Sequence, residues 1–286
     1  MAAEPVREPA PAKINLSLHV TGRRADGYHL LDSLVVFADA ADSITARPAP
    51  RTSLSVTGPF AAGLGGADNL VLGAARALPG PAVPAALTLE KNLPVASGIG
   101  GGSADAAATL RALERLSGRE VARETMLATA LTLGADVPAC LESRPLRMRG
   151  IGERLDPLPA LPDLALVMVN PGVAVETAAV FARLGGRFSH PPAEPPAAGA
   201  GLDAWLGWLA ASGNDLQAPA IEAAPVIGAV LEALAAQPGV GLARMSGSGA
   251  TCFGICRAMD EAEVAAAAIA RAHPGWWVRA ARPFRR

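Results

Sequence analysis

Near the amino end of the chain, apolar and polar residues alternate. Within residues 12–20, every second residue from Asn15 to His19 is polar, and aliphatic residues fill the positions between them. Because the side chains of a strand point alternately to its two faces, this period predicts a β-strand with one polar face. Asp26-Gly27 then precedes a second apolar run over 28–38, which predicts a turn between two strands.

The remaining periodicities predict strands and helices that do not alternate strictly, which favours an α+β fold over a doubly wound parallel sheet. Three prolines in DPLPALPD (156–163) predict a boundary, and we expect one domain at 1–160 and a second at 161–286. The first ten residues mix charges with prolines, and we expect a frayed tail rather than a signal peptide. Predicted strands are 42–47, 53–57, 85–91, 164–169, 240–245, 251–256 and 275–280, and predicted helices are 69–78, 103–117, 121–133, 176–184, 202–211, 219–236 and 259–272.

The composition fits a folded chain with a large buried core. The 286 residues are 51% hydrophobic and 18% charged, which excludes wholesale disorder. Lys and Arg number 25 against 26 Asp and Glu, so the chain lacks the basic excess of a general nucleic-acid binder. No apolar run reaches the roughly 18 residues of a membrane span, so we expect no membrane partner. Cys140, Cys252 and Cys256 lack the spacing of a metal site, and reduced thiols fit a cytoplasmic protein.

Two residue types are rare enough to direct attention to single positions. Among the 25 basic residues, only Lys13 and Lys91 are lysine. In a chain that uses arginine for ordinary positive charge, a retained lysine indicates a need for a compact ammonium group whose pKa can move. Tyr28 is the only tyrosine and is a candidate functional residue for the same reason.

A glycine-rich loop is the sharpest motif. In PVASGIGGGSADAAA (94–108), four glycines follow a predicted strand and precede an alanine-rich helix. Glycines let the backbone approach a ligand closely, and the helix presents unpaired N–H groups and the positive end of its dipole, so the loop suits a triphosphate. No lysine follows the glycines as a P-loop requires, and Ser103 replaces the third glycine of the dinucleotide fingerprint. Ser103 is also predicted to cap the helix.

Three motifs in order give the chain a resemblance to a known superfamily. The loop at 94–108 is similar to the second motif of the GHMP kinases, PAKINLSL (11–18) to their first and MSGSGAT (245–251) to their third. Two further segments narrow the resemblance to one branch of this superfamily. They are PAKINLSLHVTGRRADGYHLLDSL (11–34) and GADVPACL (134–141). They are similar to the branch that phosphorylates the 2-hydroxyl of a cytidine diphosphate ester of methylerythritol in non-mevalonate isoprenoid synthesis.

The resemblance implies a fold, a nucleotide and a set of binding residues. The fold is the two-domain GHMP kinase fold, with a ribosomal-protein-like amino-terminal domain and a ferredoxin-like carboxy-terminal domain. ATP is the implied phosphoryl donor with Mg²⁺; no side chain is assigned as a metal ligand, although Ser103 is the hydroxyl expected nearest the metal or the phosphates. Ala96-Ser97 departs from the family, whose members often carry further glycines there. The residues implied at the nucleotide are Asn69, Lys91, Pro94, Val95, Ala96, Ser97, Gly98, Ile99, Gly100, Gly101, Gly102, Ser103 and Ala104.

Lys13 and Asp136 are the catalytic residues that the resemblance implies. Asp136 would accept the proton of the substrate hydroxyl, while Lys13 would keep Asp136 ionised, lower the pKa of the hydroxyl and meet the γ-phosphate. Full removal of the proton and simple orientation of the hydroxyl both stay open. Asp136 precedes Val137-Pro138, which is also typical of a helix N-cap, and Asn69 is likewise placed to cap a helix.

For the second substrate the resemblance implies a pyrimidine subsite. Tyr28 offers a flat stacking face, and His29 offers a donor and an acceptor to the edge of the base. Phe181 would stack on the other side, with ordinary helix core as its alternative, and Thr177 would make a polar contact. Asn15 lies two residues from the catalytic lysine and shares its strand face, where family members contact the substrate.

Two alternative functions stay open. A GHMP kinase for homoserine, mevalonate or another alcohol would not need Tyr28 and His29 to recognise cytidine. A non-catalytic RNA-binding module shares the amino-terminal fold, but the net charge of -1 and the intact motifs argue against it. We expect a small-molecule substrate as the partner, no nucleic acid, and a monomer or a weak homodimer.

Overall fold

The computed structural model describes residues 4–62, 64, 69–158 and 161–285. The chain divides into two compact units. Unit 1 comprises residues 1–12, 40–95 and 100–143, and unit 2 comprises residues 13–39, 96–99 and 144–286. The two longest strands, β1 and β2, contribute residues to both units.

The described residues form strands and helices in mixed order, which confirms the predicted α+β class. The strands are β1 Val6–Arg23, β2 His29–Pro48, β3 Ser53–Thr57, β4 Ala85–Glu90, β5 Leu146–Gly150, β6 Arg154–Pro157, β7 Ala165–Asn170, β8 Leu242–Met245, β9 Cys252–Cys256 and β10 Trp277–Ala281. The helices are α1 Leu70–Ala77, α2 Gly101–Ser117, α3 Arg123–Leu133, α4 Val137–Glu142, α5 Thr177–Arg183, α6 Leu202–Ser212, α7 Gln217–Ala223, α8 Val226–Ala235 and α9 Met259–Ala272.

Unit 1 packs a group of helices with the strands β3, β4 and the second half of β2. Strand β4 pairs parallel with β3 and antiparallel with β2, where Ser43 lies opposite Glu90. Helix α2 contacts α1, α3 and α4. Its residues 104–113 are all buried, which its alanines permit because they let neighbouring helices approach on several sides.

Unit 2 contains an antiparallel sheet in the order β10-β7-β9-β8, and its first half of β2 pairs with β5, which pairs with β6. All six residues of β7 are buried, as expected for a strand covered on both faces. Side chains from β7, β9, α7, α8 and α9 form the core, and Val167, Ile227 and Ile269 are among its buried members.

Several expected element boundaries are wrong. Residues 6–10 do not fray: they open β1, and Glu8 is buried. The predicted strand 42–47 is not separate but continues β2. The predicted helix 219–236 is interrupted by Pro225, which lies between α7 and α8, because proline cannot continue a helix hydrogen-bond ladder.

Other elements were not predicted at all. Helix α4 and strands β5 and β6 are only four to six residues long, too short for a periodic pattern to identify. The polar face predicted for the first strand is buried, since residues 10–20 are all buried. Pro159 and Ala160, at the predicted domain boundary, lie outside the described residues. In the part of the chain that is described, every helix is too short or too polar to cross a membrane.

Candidate active site

In unit 2 the first sequence motif is hydrogen-bonded to both of the others. The backbone N–H of Lys13 donates to the carbonyl oxygen of Ile99 at 2.9 Å, which joins the first motif to the glycine loop. The backbone N–H of Asn15 donates to Ser246 Oγ at 3.1 Å, which joins the first motif to the third. Lys13 and Asn15 are both almost fully buried. Segments that are far apart in sequence therefore meet.

The glycine loop and the third motif are also bonded directly. Ser246 Oγ donates to the carbonyl oxygen of Gly98 at 3.1 Å, and the N–H of Thr251 donates to the carbonyl oxygen of Ser97 at 3.0 Å. A Cβ atom on Gly98 would lie 2.6 Å from the carbonyl oxygens of both Ser246 and Gly249. Gly98 has φ of 75°, so glycine is required there by backbone conformation and by space.

Asn15 has an amide oxygen with no hydrogen-bond partner among the described residues. Its Nδ2 donates to Ser33 Oγ at 2.7 Å, whereas Oδ1 is buried and unbonded. That oxygen lies 3.5 Å from the position that a Cβ atom on Gly247 would take, so it faces the third motif. A buried polar atom without a partner is costly, and contact between this oxygen and the substrate stays a prediction.

The helix that follows the loop begins earlier than the sequence predicted. Gly100, with φ of 65°, is the N-cap residue of α2, and the helix starts at Gly101. Ser103 is the third helical residue, so its predicted capping role is wrong. Among the described residues no side chain caps α2, and its first turn carries no acid. The positive end of its dipole lies at these first amides, and the binding of phosphates there stays a prediction.

Ala96 lies where the loop departs from the family pattern, and its backbone conformation is one that favours glycine. It has φ of 50°, in the left-handed region where side chains are strained and glycine is not. The backbone of the loop thus keeps a conformation that suits glycine, although this chain has alanine. The neighbouring Val95 is exposed, whereas Pro94 and Ser97 are largely buried.

Lys91 lies in a buried ion cluster with Asp42 and Asp105, here called the Lys91 cluster. Its Nζ donates to Asp42 Oδ2 at 2.5 Å and to Asp105 Oδ2 at 2.7 Å. Desolvation lowers the pKa of Lys91, but the two carboxylates outweigh it and the net pKa lies above its ordinary value. Burial raises the pKa of Asp105 to about 7, against the opposing effect of the Lys91 ammonium. The ammonium of Lys91, a residue implied at the nucleotide, is therefore bonded to two side chains of unit 1.

Asn69 is the N-cap of α1, as one of its two interpretations expected. Its Oδ1 accepts from the N–H of Val71 at 2.9 Å, and its Nδ2 donates to the carbonyl oxygen of Leu64 at 2.8 Å. The next residue, Leu70, is exposed, and its Cδ1 lies 3.5 Å from the position of a Cβ atom on Gly102. The start of α1 thus lies beside the start of α2, and contact between Asn69 and a nucleotide stays a prediction.

Asp136 occupies the N-cap position of α4, and its side chain makes no capping hydrogen bond there. The carboxylate is half-buried. The other end of α4 is held by Arg111, whose Nη1 donates to the carbonyl oxygen of Cys140 at 3.0 Å. Arg111 also forms a buried ion pair with Glu8 at 3.0 Å. The position of Asp136 therefore depends on contacts that tie α4 to α2 and β1.

The residues predicted to bind the pyrimidine lie in unit 2. Tyr28 is exposed, and it follows a turn in which its N–H donates to Asp26 Oδ1 at 3.3 Å. His29 stacks on Phe181, with ring centroids 4.5 Å apart. Burial and then Arg23 lower the pKa of His29 below its ordinary value, so the ring is neutral at neutral pH.

Thr177, the first residue of α5, lies beside the third motif. Its Oγ1 and Ser248 Oγ are 2.9 Å apart, and either hydroxyl can donate. Thr177 is exposed, and contact between its hydroxyl and the substrate stays a prediction. Asn214 stabilises the third motif, because its Nδ2 donates to the carbonyl oxygens of Met245 and Gly247.

Sequence reasoning missed the residues that support the site. Asp42, Asn214 and the pair of Glu8 and Arg111 carry no motif of their own. One signal was available for Asp42, because a charged residue in a strand must find a partner when it is buried. The partner itself was not identifiable without the fold.

Comparison with known proteins agrees with this geometry. The sequence profile described as GHMP kinases N terminal domain matches residues 69–144, and the profile described as GHMP kinases C terminal matches residues 198–275. The fold and its converging motifs thus define a GHMP kinase, and the predicted two-domain GHMP kinase fold is confirmed.

Similar full-length proteins identify the branch of the GHMP kinases to which the chain belongs. A protein of Paracoccus denitrificans named 4-diphosphocytidyl-2-C-methyl-D-erythritol kinase is 57% identical over 275 residues, which are 96% of this chain and 95% of that protein. A protein of Cereibacter sphaeroides with the same name is 57% identical over 275 residues, 96% of this chain and 97% of that protein. A crystal structure of 4-(cytidine 5'-diphospho)-2C-methyl-D-erythritol kinase has 35% identity and a TM-score of 0.78, covering 98% of this chain and 100% of that one. The chain belongs to the family of 4-diphosphocytidyl-2-C-methyl-D-erythritol kinases.

Proposed function

We propose that this chain transfers the γ-phosphoryl group of ATP to the 2-hydroxyl of 4-diphosphocytidyl-2-C-methyl-D-erythritol, a step of non-mevalonate isoprenoid precursor synthesis. The observation that carries the proposal is the meeting of the three sequence motifs through the bonds of Lys13, Asn15, Ser246 and Thr251. The names of its relatives state the same kinase activity.

ATP binds, in this proposal, along residues 94–104, with Asn69 near the base. The uncapped amides at the start of α2 bond the phosphates, and the helix dipole favours their charge. Lys91 serves the nucleotide indirectly, since its ammonium is occupied by two carboxylates.

Mg²⁺ accompanies the ATP and neutralises charge on the transferring phosphoryl group. Among the described residues, no three His, Cys, Asp or Glu side chains come together as a metal site. We propose an ion held mainly by phosphates and water, as Mg²⁺ usually is. Ser103, half-buried in the first turn of α2, is the hydroxyl we assign to the metal or the phosphates.

Asp136 and Lys13 act on the acceptor hydroxyl. Asp136 accepts its proton as the oxygen attacks phosphorus, or holds the hydroxyl in the attacking orientation. The Lys13 ammonium stabilises the negative charge that develops on the oxygens around the transferred phosphorus. A lysine nearly removed from water exerts a stronger electrostatic effect than an exposed one.

The cytidine ester is recognised by residues of unit 2. Tyr28 supplies an exposed ring face, and the neutral His29 supplies both a donor and an acceptor for the pyrimidine edge. Phe181 supports His29 by stacking and offers its remaining surface to the base. Asn15 and Thr177 take the sugar-alcohol hydroxyls or the diphosphate, because each faces the third motif.

We further propose that the protein is cytoplasmic, acts as a monomer or a weak homodimer, and has no nucleic-acid partner. Residues 1–160 would then form the amino-terminal GHMP kinase domain and residues 161–286 the carboxy-terminal one. A sedimentation experiment across a range of protein concentrations tests the oligomeric state.

An assay that couples ADP release to NADH oxidation tests the function. The chain is expected to turn over ATP with the cytidine diphosphate ester and to ignore homoserine and mevalonate. Asp136→Asn keeps the size of the side chain but removes the base, so turnover is expected to fall by about 100-fold or more. Near-native turnover by that variant would remove Asp136 from the mechanism, and turnover of another alcohol in place of the ester would refute the proposed substrate.

A further inference from the structure

The Lys91 cluster contacts the residues on both sides of the glycine loop. Lys91 follows β4 directly, and its backbone is held by bonds from its N–H to Thr57 and from Phe60 to its carbonyl oxygen. From this fixed point the side chain reaches Asp42 on β2 and Asp105 on α2. All of these residues belong to unit 1.

One end of the loop is fixed through Asp42. While its Oδ2 accepts from Lys91, its Oδ1 accepts from the N–H of Asn92 at 2.6 Å and from the N–H of Leu93 at 2.8 Å. These two residues come immediately before Pro94, where the loop starts. Asp42 therefore sets the direction in which the chain leaves β4.

The other end is fixed through Asp105. Its Oδ2 accepts from Lys91 at 2.7 Å, and its Oδ1 is buried with no partner among the described residues, so Lys91 is its principal tie. A Cβ atom on Gly101 would lie only 3.1 Å from Lys91 Nζ, so the first residue of α2 lies near the ammonium with little room between them. One cation thus joins the chain before the loop to the helix after it.

We infer that Lys91 is a positioning residue for nucleotide binding, which acts by holding the two ends of the glycine loop at a fixed separation rather than by touching adenosine. A buried ammonium between two carboxylates gives a strong and directional tie, because charge-assisted bonds strengthen away from water. Arginine is expected to fit poorly, since its guanidinium is larger and Gly101 leaves little room beside Lys91 Nζ. The inference rests on the proposed nucleotide site.

Contact with adenosine and positioning of the loop predict different losses of ligand affinity when Lys91 is replaced. A residue that contacts adenosine affects the binding of ATP but not of inorganic triphosphate, which has no adenosine. A residue that positions the loop affects both ligands by the same factor. Calorimetric titration of the full chain with each ligand, at equal free Mg²⁺ and well below the unfolding temperature, separates these outcomes.

Two variants test the inference independently. Lys91→Met removes the ammonium and leaves two facing carboxylates, which can impair folding. Asp105→Ala leaves Lys91 and Asp42 as a balanced pair and only cuts the tie to α2, so it is expected to fold. Each folded variant is expected to lose about tenfold in affinity for both ATP and triphosphate, the equivalent of about one charge-assisted hydrogen bond. Asp105→Asn keeps an oxygen for Lys91 and is expected to recover most of the loss.

Thr109→Val is the matched control. Thr109 is buried one turn further along α2 and its hydroxyl donates to the backbone oxygen of Asp105 at 2.8 Å, so the variant should bind both ligands as the parent does. The inference would be overturned if Asp105→Ala bound triphosphate with the affinity of the parent. It would also be overturned if Lys91→Met lost affinity for ATP but not for triphosphate. A chain that binds both ligands but does not phosphorylate the cytidine ester would refute the proposed function and leave this comparison valid.

Discussion

Gly98→Ala is expected to damage both the fold and catalysis, because Gly98 is where the loop meets the third motif. Alanine at φ of 75° costs about 1–2 kcal/mol of strain. Its Cβ would also lie 2.6 Å from two carbonyl oxygens, and overpacking of this kind costs about 1–3 kcal/mol. The free energy of unfolding is therefore expected to fall by about 2–5 kcal/mol, the sum of the two effects.

Gly118→Ala is the matched control, because it introduces the same backbone strain but no steric overlap. Gly118 ends α2 with φ of 65°, and a Cβ atom there would have nothing within 4 Å. Its expected loss is the strain alone, about 1–2 kcal/mol. The difference between the two variants, measured by urea denaturation of each, therefore reports the collision at the loop.

Kinetics provide the second measurement for the same pair. If the collision displaces Ser97–Ile99 from the third motif, Gly98→Ala should lose about 100-fold in kcat/KM, since small misplacements at a reacting centre have effects of this size. Gly118→Ala should retain parental kinetics. Equal losses of stability in the two variants, together with unchanged turnover in Gly98→Ala, would refute the packing described for the three motifs.

Three further predictions follow from local geometry. Ala96→Gly should raise the free energy of unfolding by up to about 1 kcal/mol, because glycine removes the strain of the left-handed conformation; a lower urea midpoint would contradict this. Arg111→Met should lower it by about 3–5 kcal/mol, since among the described residues it leaves the buried Glu8 with the exposed Arg115 as its one ion-pair partner; a loss under about 1 kcal/mol would contradict this. The KM for the cytidine ester should be flat above neutral pH and rise on acidification, because the pKa of His29 is lowered and protonation removes its acceptor; His29→Gln should abolish that rise.

The sequence alone was enough to identify the three motifs that the fold brings together. The glycine loop and the third motif were identifiable because glycines at fixed spacing report a backbone requirement that other residues do not meet. Longer elements such as α2 and α9 were identifiable because a periodic pattern accumulates along their length. The start of α2 was misjudged, since Gly100 took the cap position expected for Ser103.

The supporting contacts were beyond the sequence because they join distant segments. Lys91 is 49 residues from Asp42 and 14 from Asp105, and no spacing rule connects these three positions. Glu8 was assigned to a frayed tail, although its burial depends on Arg111, which is 103 residues away. Buried charges of this kind follow from tertiary packing, and local propensity carries no information about them.

Phosphorus NMR of a complete reaction tests the central claim most directly. With the chain, ATP, Mg²⁺ and the cytidine diphosphate ester, we predict a new phosphomonoester signal that grows in proportion to ADP and is absent when any one component is left out. Consumption of ATP without that signal, or no reaction at high protein concentration, would contradict the assignment of this chain as the kinase for that ester.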